Sequence, residues 1–327
     1  MEKVHVCHMM ELAKLKINKD IRVEENVDMS KHTSFKAGGK AAFMVEAGSI
    51  ESLKQILRLV SEKNIPHMVL GNGSNTLFKD SGYDGVVIKL ASGPFSEVKL
   101  LDDINNDKLS RISGKEITVS AGSAVLLSSL AKILLSHGIS GFEFASGIPG
   151  SLGGALFMNA GAYGGEMKDI VQSVKAISPD GKEEKIFSNK EMNFEYRHSI
   201  LEENGYIAVE AFLHLSMGDK KEIDEKMKDL AQRRNSKQPV SYPSAGSTFK
   251  RPEGYFAGKL IEDAGLKGVT VGGAQVSTLH SGFIINKGGA TATDIIQLIT
   301  LVQNRVYDEF GGKNNWIILK KKSVNIE

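Results

Sequence analysis

The sequence predicts an α+β protein of two domains. Three observations carry this: strand-like apolar runs and amphipathic helical stretches both recur along the chain, 327 residues are comfortable for two cores, and composition shifts at Gly218. The expected limits are 1–216 for a larger, glycine-rich domain and 217–327 for a smaller α+β domain, with 1–30 a weakly ordered tail.

Apolar and charged fractions of 41% and 24% are those of an ordinary globular protein. A net charge of +2 with both signs interspersed gives no sign of a nucleic-acid or anionic-membrane partner. No unbroken apolar segment approaches the ~20 residues of a membrane span, and no secretory signal follows Glu2 and Lys3. The single cysteine, Cys7, forms no intramolecular disulfide and suits a reducing compartment, so a cytoplasmic location is expected. Cys7 stands with His5 and His8, but no fourth ligand is evident and no metal site is expected.

A short helix fits Met9–Lys16, and a Gly38-Gly39 turn precedes a strand at Ala41–Val45. Ser49 then opens a helix whose Ile50, Leu53, Ile56, Leu57 and Val60 share a face; with Ser52 rather than Glu three residues on, its capping box reads as incomplete. Strands are expected at His67–Leu70, Gly85–Leu90 and Ile117–Ala121, with a polar excursion over Asp102–Lys115. Ser123–His137 reads as a helix closed by Gly138, and Pro179-Asp180-Gly181 as the turn of a hairpin. A strand at Gly205–Leu215 closes the first domain. In the second, a charged helix spans Asp219–Arg234 with a thin stripe of Ile223, Met227 and Leu230, and Tyr242–Pro252 is a loop. Helices follow at Tyr255–Ala264 and Thr293–Phe310, and strands at Ala274–Ser277, Phe283–Asn286 and Trp316–Leu319.

The stretch Phe142–Gly165 holds glycines at 147, 150, 153, 154, 161, 164 and 165 among Phe142, Phe144, Ile148, Leu152 and Leu156. Glycine is entropically costly in a folded chain, so this density implies backbone that turns with φ > 0 or approaches a ligand too closely for a Cβ. It reads as buried, rigid backbone built around a cofactor; a glycine-rich turn between core strands is the other reading. A second stretch, Gly71-Asn72-Gly73-Ser74-Asn75, follows a strand but lacks the third glycine and the helix of a dinucleotide fingerprint. What remains is a nest of N–H groups suited to a pyrophosphate, or a plain hairpin turn.

These two stretches, with Thr33–Gly39, the segment Phe194-Glu195-Tyr196-Arg197-His198-Ser199 and the segment Pro243–Phe249, resemble in order the UDP-N-acetylenolpyruvoylglucosamine reductase family. Those flavoenzymes complete UDP-N-acetylmuramate in bacterial cell-wall synthesis. The resemblance runs from about His32 to Phe310, and the short connections after Arg197 are similar to the family's compact subtype. It implies an FAD-binding domain of the vanillyl-alcohol-oxidase type followed by a smaller substrate domain. By the same resemblance Gly71, Asn72, Gly73, Ser74 and Asn75 would hold the FAD pyrophosphate. Ser146, Gly147, Ile148, Pro149, Gly150, Gly153, Gly154 and Asn159 would line the flavin. Asn72 and Ser74 offer no nucleophile for a covalent tether, so the FAD is expected to be non-covalent, with NADPH as reductant and a monomeric enzyme.

Two-electron reduction of an enol ether needs a hydride carrier, which no side chain can be. Charge then develops on an enolate-like species, and Arg197, matching the family's Tyr-Arg motif, would stabilise it through a forked guanidinium. Ser247, in Ala-Gly-Ser-Thr-Phe, would protonate carbon, which requires a neighbouring charge to lower its effective pKa. Tyr196, Lys250, Arg251, Gln275 and His280 are further substrate-binding candidates.

One departure stands out. Family members end in Phe-Gly followed by Leu-Glu-x-Glu-Val, whose second Glu assists the enolate step. Here Phe310-Gly311 is followed by Gly312-Lys313-Asn314-Asn315-Trp316-Ile317-Ile318, and Ile317 stands where that Glu belongs. No Glu is carried over to the site. The alternative function is therefore a flavin- or UDP-sugar-binding homologue with impaired catalysis.

Overall fold

The computed structural model describes Leu12, Leu15 and residues 18–101, 114–311 and 325–326. The expected helix Met9–Lys16 (Leu12 and Leu15 apart), most of the Asp102–Lys115 excursion, the strand Trp316–Leu319, Ile317 and the Cys7 trio lie outside the described residues.

By contacts the chain forms two units: 1–25, 43–72 and 85–233 in one, and 26–42, 73–84 and 234–327 in the other. This differs from a single cut at 216, and the helix Lys220–Lys237 supplies a reason. Its Ile223 and Leu230 are buried, and Met227 packs against the first unit's core. On the same side, Lys226 Nζ donates to the buried Glu143 carboxylate at 3.1 Å. A helix read from its charges as the start of a new domain is tied to the old one by Met227 and by the Lys226–Glu143 bond.

The first unit is organised on an antiparallel sheet in the order Glu184–Ser188, Val171–Ile177, Ile207–Met217, Glu116–Gly122, Val98–Leu100, with Ile139–Ser140 also on the long strand Ile207–Met217. Another sheet runs Ile21–Asp28, Lys40–Ala47, Tyr83–Leu90, His67–Val69, the last pair parallel. The helix Ile50–Glu62 begins at a complete capping box: Ser49 Oγ accepts from Ser52 N–H at 3.2 Å and Ser52 Oγ accepts from Ser49 N–H at 2.9 Å. A serine hydroxyl thus does what the sequence rule reserves for Glu or Gln. The helix expected from Ser123 starts only at Leu127, because Val125 O and Leu127 N–H pair with Leu152 N–H and Gly150 O. That pairing fixes the glycine-rich stretch to the core, and a short helix, Leu152–Phe157, follows within it.

The second unit has an antiparallel sheet ordered Ser244–Ser247, Phe283–Asn286, Ala274–Val276, Thr270–Val271, with helices Ala257–Asp263 and Ala292–Val306. Phe35, Phe249, Ile261, Ile284, Ile295 and Leu298 are in its core. The expected loop Tyr242–Pro252 contains the strand Ser244–Ser247, invisible in sequence because Ser-Ala-Gly-Ser has no β-branched or aromatic residue. The last helix runs as α-helix over Ala292–Val306 and continues as a π segment over Tyr307–Gly311, close to the expected Thr293–Phe310.

That helix is capped at its N-terminus by Thr291 and Asp294 and, from far along the chain, by Asp80. The Asp80 carboxylate accepts from Ala292 N–H and Thr293 N–H, both at 2.8 Å, and from Thr293 Oγ1 at 2.6 Å. Burial pushes its pKa up, but the bonds from Thr293 and Ala292 outweigh this and hold it below the ordinary 3.8. Asp80→Ala is expected to cost about 1–2 kcal/mol at neutral pH, the loss of a cap and its helix-dipole contact. Because the folded pKa is depressed, the contribution is present above 3.8 and fades as pH falls through the folded value. Urea unfolding of wild type and variant should therefore differ at neutral pH and converge in strong acid. An equal gap at both would refute the assignment.

Candidate functional site

In the first unit the Gly71-Asn72 segment lies beside the Ser146–Gly154 segment. Asn72 Nδ2 donates to Pro149 O at 3.0 Å, joining the Gly71-Asn72 segment to the Ser146–Gly150 segment. A Cβ on Gly71 would lie 2.6 Å from Ser151 Oγ, so the two segments approach closely here and a side chain at 71 would have to turn that hydroxyl aside. Gly71, Asn72, Gly147, Pro149 and Gly154 are exposed, while Ser146, Ile148, Gly150 and Gly153 are half-buried. The stretch is therefore not wholly buried as the sequence suggested: Phe142–Ala145 and Ser151-Leu152 anchor it beneath, and the glycines between present bare backbone. Such bare backbone admits the close approach of a flat ring. Ser146, Ile148, Gly150 and Gly153 N–H already donate to Glu143 O, Ala145 O, Ile148 O and Ser123 O, so these four are not the donors of an anion nest. Ser146 Oγ is already spent on Glu143 O at 2.7 Å. Gly73, Ser74 and Asn75 belong by contacts to the second unit, where Ser34 N–H donates to Gly73 O at 3.0 Å. Gly73 has φ +64°.

Not every glycine of the stretch serves a ligand surface. A Cβ on Gly165 would sit 2.7 Å from the Phe144 ring, a purely internal constraint.

Arg197 sits at the tip of a tight turn closed by Glu195 N–H to His198 O at 3.1 Å and His198 N–H to Glu195 O at 3.3 Å. Its φ is +60°, strained for a residue with a Cβ. Nη2 donates to Gly161 O at 3.0 Å, Nη1 reaches Asn159 O at 3.5 Å, and the guanidinium lies 5.1 Å from the ring centroid of the exposed Tyr196. Among the described residues Arg197 forms no ion pair. Neutral carbonyls aim the cation without cancelling its charge, which is the arrangement that binds an anion.

Asn159, expected along the flavin, has its side chain engaged within the protein. It is fully buried, with Nδ2 donating to Glu166 Oε2 at 2.9 Å and Glu195 O at 3.0 Å, and Oδ1 accepting from Lys168 N–H at 3.0 Å. Its side chain holds the protein together and is not offered to a flavin.

In the second unit Ser247 is half-buried at the end of its strand, paired with Phe283 and preceded by Gly246 at φ +72°. A Cβ on Gly282 would meet both Ser247 Oγ at 3.4 Å and His280 Nδ1 at 3.2 Å, so the serine and the imidazole flank one bare glycine. Gly282 N–H donates to His280 Nδ1 at 3.1 Å, which places the neutral ring's proton on Nε2. Burial holds the His280 pKa below its ordinary value, so this neighbour is not the charge that Ser247 needs. Lys250 is half-buried, and Arg251 is exposed over the Phe256 ring at 4.5 Å. Gln275 is occupied elsewhere: Nε2 donates to Gly268 O at 3.2 Å and Thr270 Oγ1 at 3.1 Å. The sequence reading did not single out Glu166, whose carboxylate accepts from the buried Asn159 amide. Among the described residues no cluster of metal-ligating side chains occurs, and no helix is long and apolar enough to cross a membrane.

Comparison with known proteins adds to this geometry. A family model described as an FAD binding domain matches residues 41–186, and one described as UDP-N-acetylenolpyruvoylglucosamine reductase, C-terminal domain, matches 238–314. The UDP-N-acetylenolpyruvoylglucosamine reductase of Clostridioides difficile (strain 630) is 51% identical, covering 89% of this chain and 90% of that one. That of Alkaliphilus oremlandii (strain OhILAs) is 50% identical, covering 86% and 88%. The crystal structure of UDP-N-acetylenolpyruvylglucosamine reductase from Thermus caldophilus superposes with a TM-score of 0.74 at 33% identity, covering 92% of this chain and 98% of that one.

Proposed function

The chain belongs to the UDP-N-acetylenolpyruvoylglucosamine reductase family, FAD-dependent oxidoreductases of α+β fold, and from that premise we propose that it reduces UDP-N-acetylglucosamine enolpyruvate to UDP-N-acetylmuramate with NADPH, in the cytoplasm and as a monomer. The observation that carries this reading is Arg197, a cation held at φ +60° by two neutral carbonyls.

Gly71–Asn75 would hold the pyrophosphate of a non-covalent FAD, and Ser146–Gly150 with Gly153 and Gly154 would lie along its ring. Bound FAD supplies the hydride that no side chain can. Arg197 forks onto the substrate carboxylate and stabilises the negative charge that grows there as the double bond is reduced. Ser247 gives the proton that completes the new C–H bond and is reprotonated from solvent. Lys250 and Arg251 supply positive charge for the substrate diphosphate. Tyr196 and His280 offer polar edges, and Gln275, engaged in its own turn, contributes least.

The test is direct. Purified protein should be yellow and should consume NADPH when given the enolpyruvyl nucleotide, releasing UDP-N-acetylmuramate. A colourless protein, or one that turns over only with another alcohol or acid, would end this reading. Ile317 motivates a second one, a binding homologue with impaired turnover. It gains if flavin is bound, NADPH is not consumed, and Ile317→Glu restores turnover.

A further inference from the structure

We propose that Glu166 is a positioning residue for Arg197, acting through Asn159. The proposal rests on the reading that Arg197 grips the substrate carboxylate, and it concerns residues of the first unit only.

Two backbone carbonyls set the guanidinium, those of Asn159 and Gly161. Gly161 begins a small hairpin in which Gly161 pairs with Glu166 and Ala162 with Gly165. Asn159 enters that hairpin at φ +42°, and Tyr163 at its tip has φ +52°, so backbone strain surrounds the carbonyls that aim the cation. Something must hold them there. The Asn159 side chain does so with both of its N–H donors: one to Glu195 O, at the base of the turn that carries Arg197, and the other to Glu166 Oε2. Glu166 is in turn fixed by Lys168 Nζ at 3.1 Å, by its N–H donating to Asp169 Oδ2 at 2.8 Å, and by its place in the hairpin.

Glu166 is the one charged acceptor on this buried amide. By accepting from Nδ2 it fixes which way the amide faces, and its charge strengthens that bond. Without it, Asn159 Nδ2 is left buried with an unmade bond, and the amide can rotate to seek another partner. Rotation would release Glu195 O and Lys168 N–H together. The turn carrying Arg197 would lose its link to the hairpin whose carbonyls point the guanidinium. Glu166 touches no reacting atom in this scheme; it keeps Arg197 in one place.

Glu166→Ala should weaken binding of UDP-N-acetylmuramate, read by calorimetry, by roughly tenfold. It should slow the half-reaction with the enolpyruvyl nucleotide by a similar factor, while NADPH oxidation in the nucleotide's absence stays within about twofold of wild type. Glu166→Gln, whose amide oxygen still accepts from Asn159, should recover most of the loss. In an Arg197→Ala background, Glu166→Ala should add nothing further, since the group it positions is gone. Equal slowing of both half-reactions, no recovery by Gln, or full additivity with Arg197→Ala would each overturn the proposal. If Arg197→Ala itself leaves nucleotide binding and reduction intact, the reading of Arg197 fails, which is a different result from an inert Glu166→Ala beside a crippled Arg197→Ala.

Discussion

Arg197→Ala is expected to slow the half-reaction with the enolpyruvyl nucleotide by ~10²–10³-fold, the range for removing one preorganised donor from a developing anion. NADPH oxidation without the nucleotide should be close to wild type. The two rates are separable by rapid mixing under anaerobic conditions, and equal damage to both would mean that Arg197 supports the fold rather than the reaction. Backbone geometry supplies the control. Arg and Ala both carry a Cβ at φ +60°, so this change adds no strain of its own. Arg197→Gly relieves the strain and should be more stable than the Ala variant by about 1 kcal/mol, with activity no better. A residue kept at a costly conformation, where glycine would fold more easily, points to chemistry that only its side chain provides. Arg197→Lys should recover little, because an ammonium cannot reproduce a fork reaching two carbonyls and a carboxylate at once.

The sequence of Phe194–Ser199 carries no sign of that strain. It has no glycine or asparagine at 197, and the positive φ becomes visible only when Glu195 and His198 close the turn. The helical faces and the hairpin Val171–Ile177/Glu184–Ser188 were legible because periodicity and turn residues are local signals. Long-range partners were not. Asp80 caps a helix more than two hundred residues away, and nothing in Lys79-Asp80-Ser81 distinguishes it from a loop acid. The glycines of Phe142–Gly165 were read as one feature, yet Gly165 abuts the Phe144 ring while Gly147 and Gly154 are exposed, so one residue type answers to different constraints. Asn159 was expected along the flavin and its amide is spent on Glu166, Glu195 and Lys168, since a motif fixes position along the chain and says little of where an amide points. The charged helix Lys220–Lys237 misled in the other direction. Its composition marks a boundary, while its thin apolar stripe, the weaker signal, decides which core it joins.

Ser247→Ala should reduce the half-reaction with the enolpyruvyl nucleotide by ~10²–10⁴-fold, the cost of removing a positioned general acid, and leave NADPH oxidation without the nucleotide unchanged. The loss of one oxygen from a half-buried strand end leaves no large cavity, so thermal stability should move little. Nucleotide affinity should also hold if Ser247 acts after binding; this would set it apart from Arg197→Ala, which should weaken binding and reduction together. The neighbouring imidazole sharpens the test. His280 is kept neutral by burial, with its Nδ1 occupied by Gly282 N–H, so it gives the serine no positive charge. His280→Gln should therefore slow proton delivery far less than Ser247→Ala does. If the two variants are equally slow, the imidazole is part of the proton path and the serine is not its sole donor. If Ser247→Ala is as fast as wild type, the proton comes from elsewhere, and the role given to this hydroxyl is wrong.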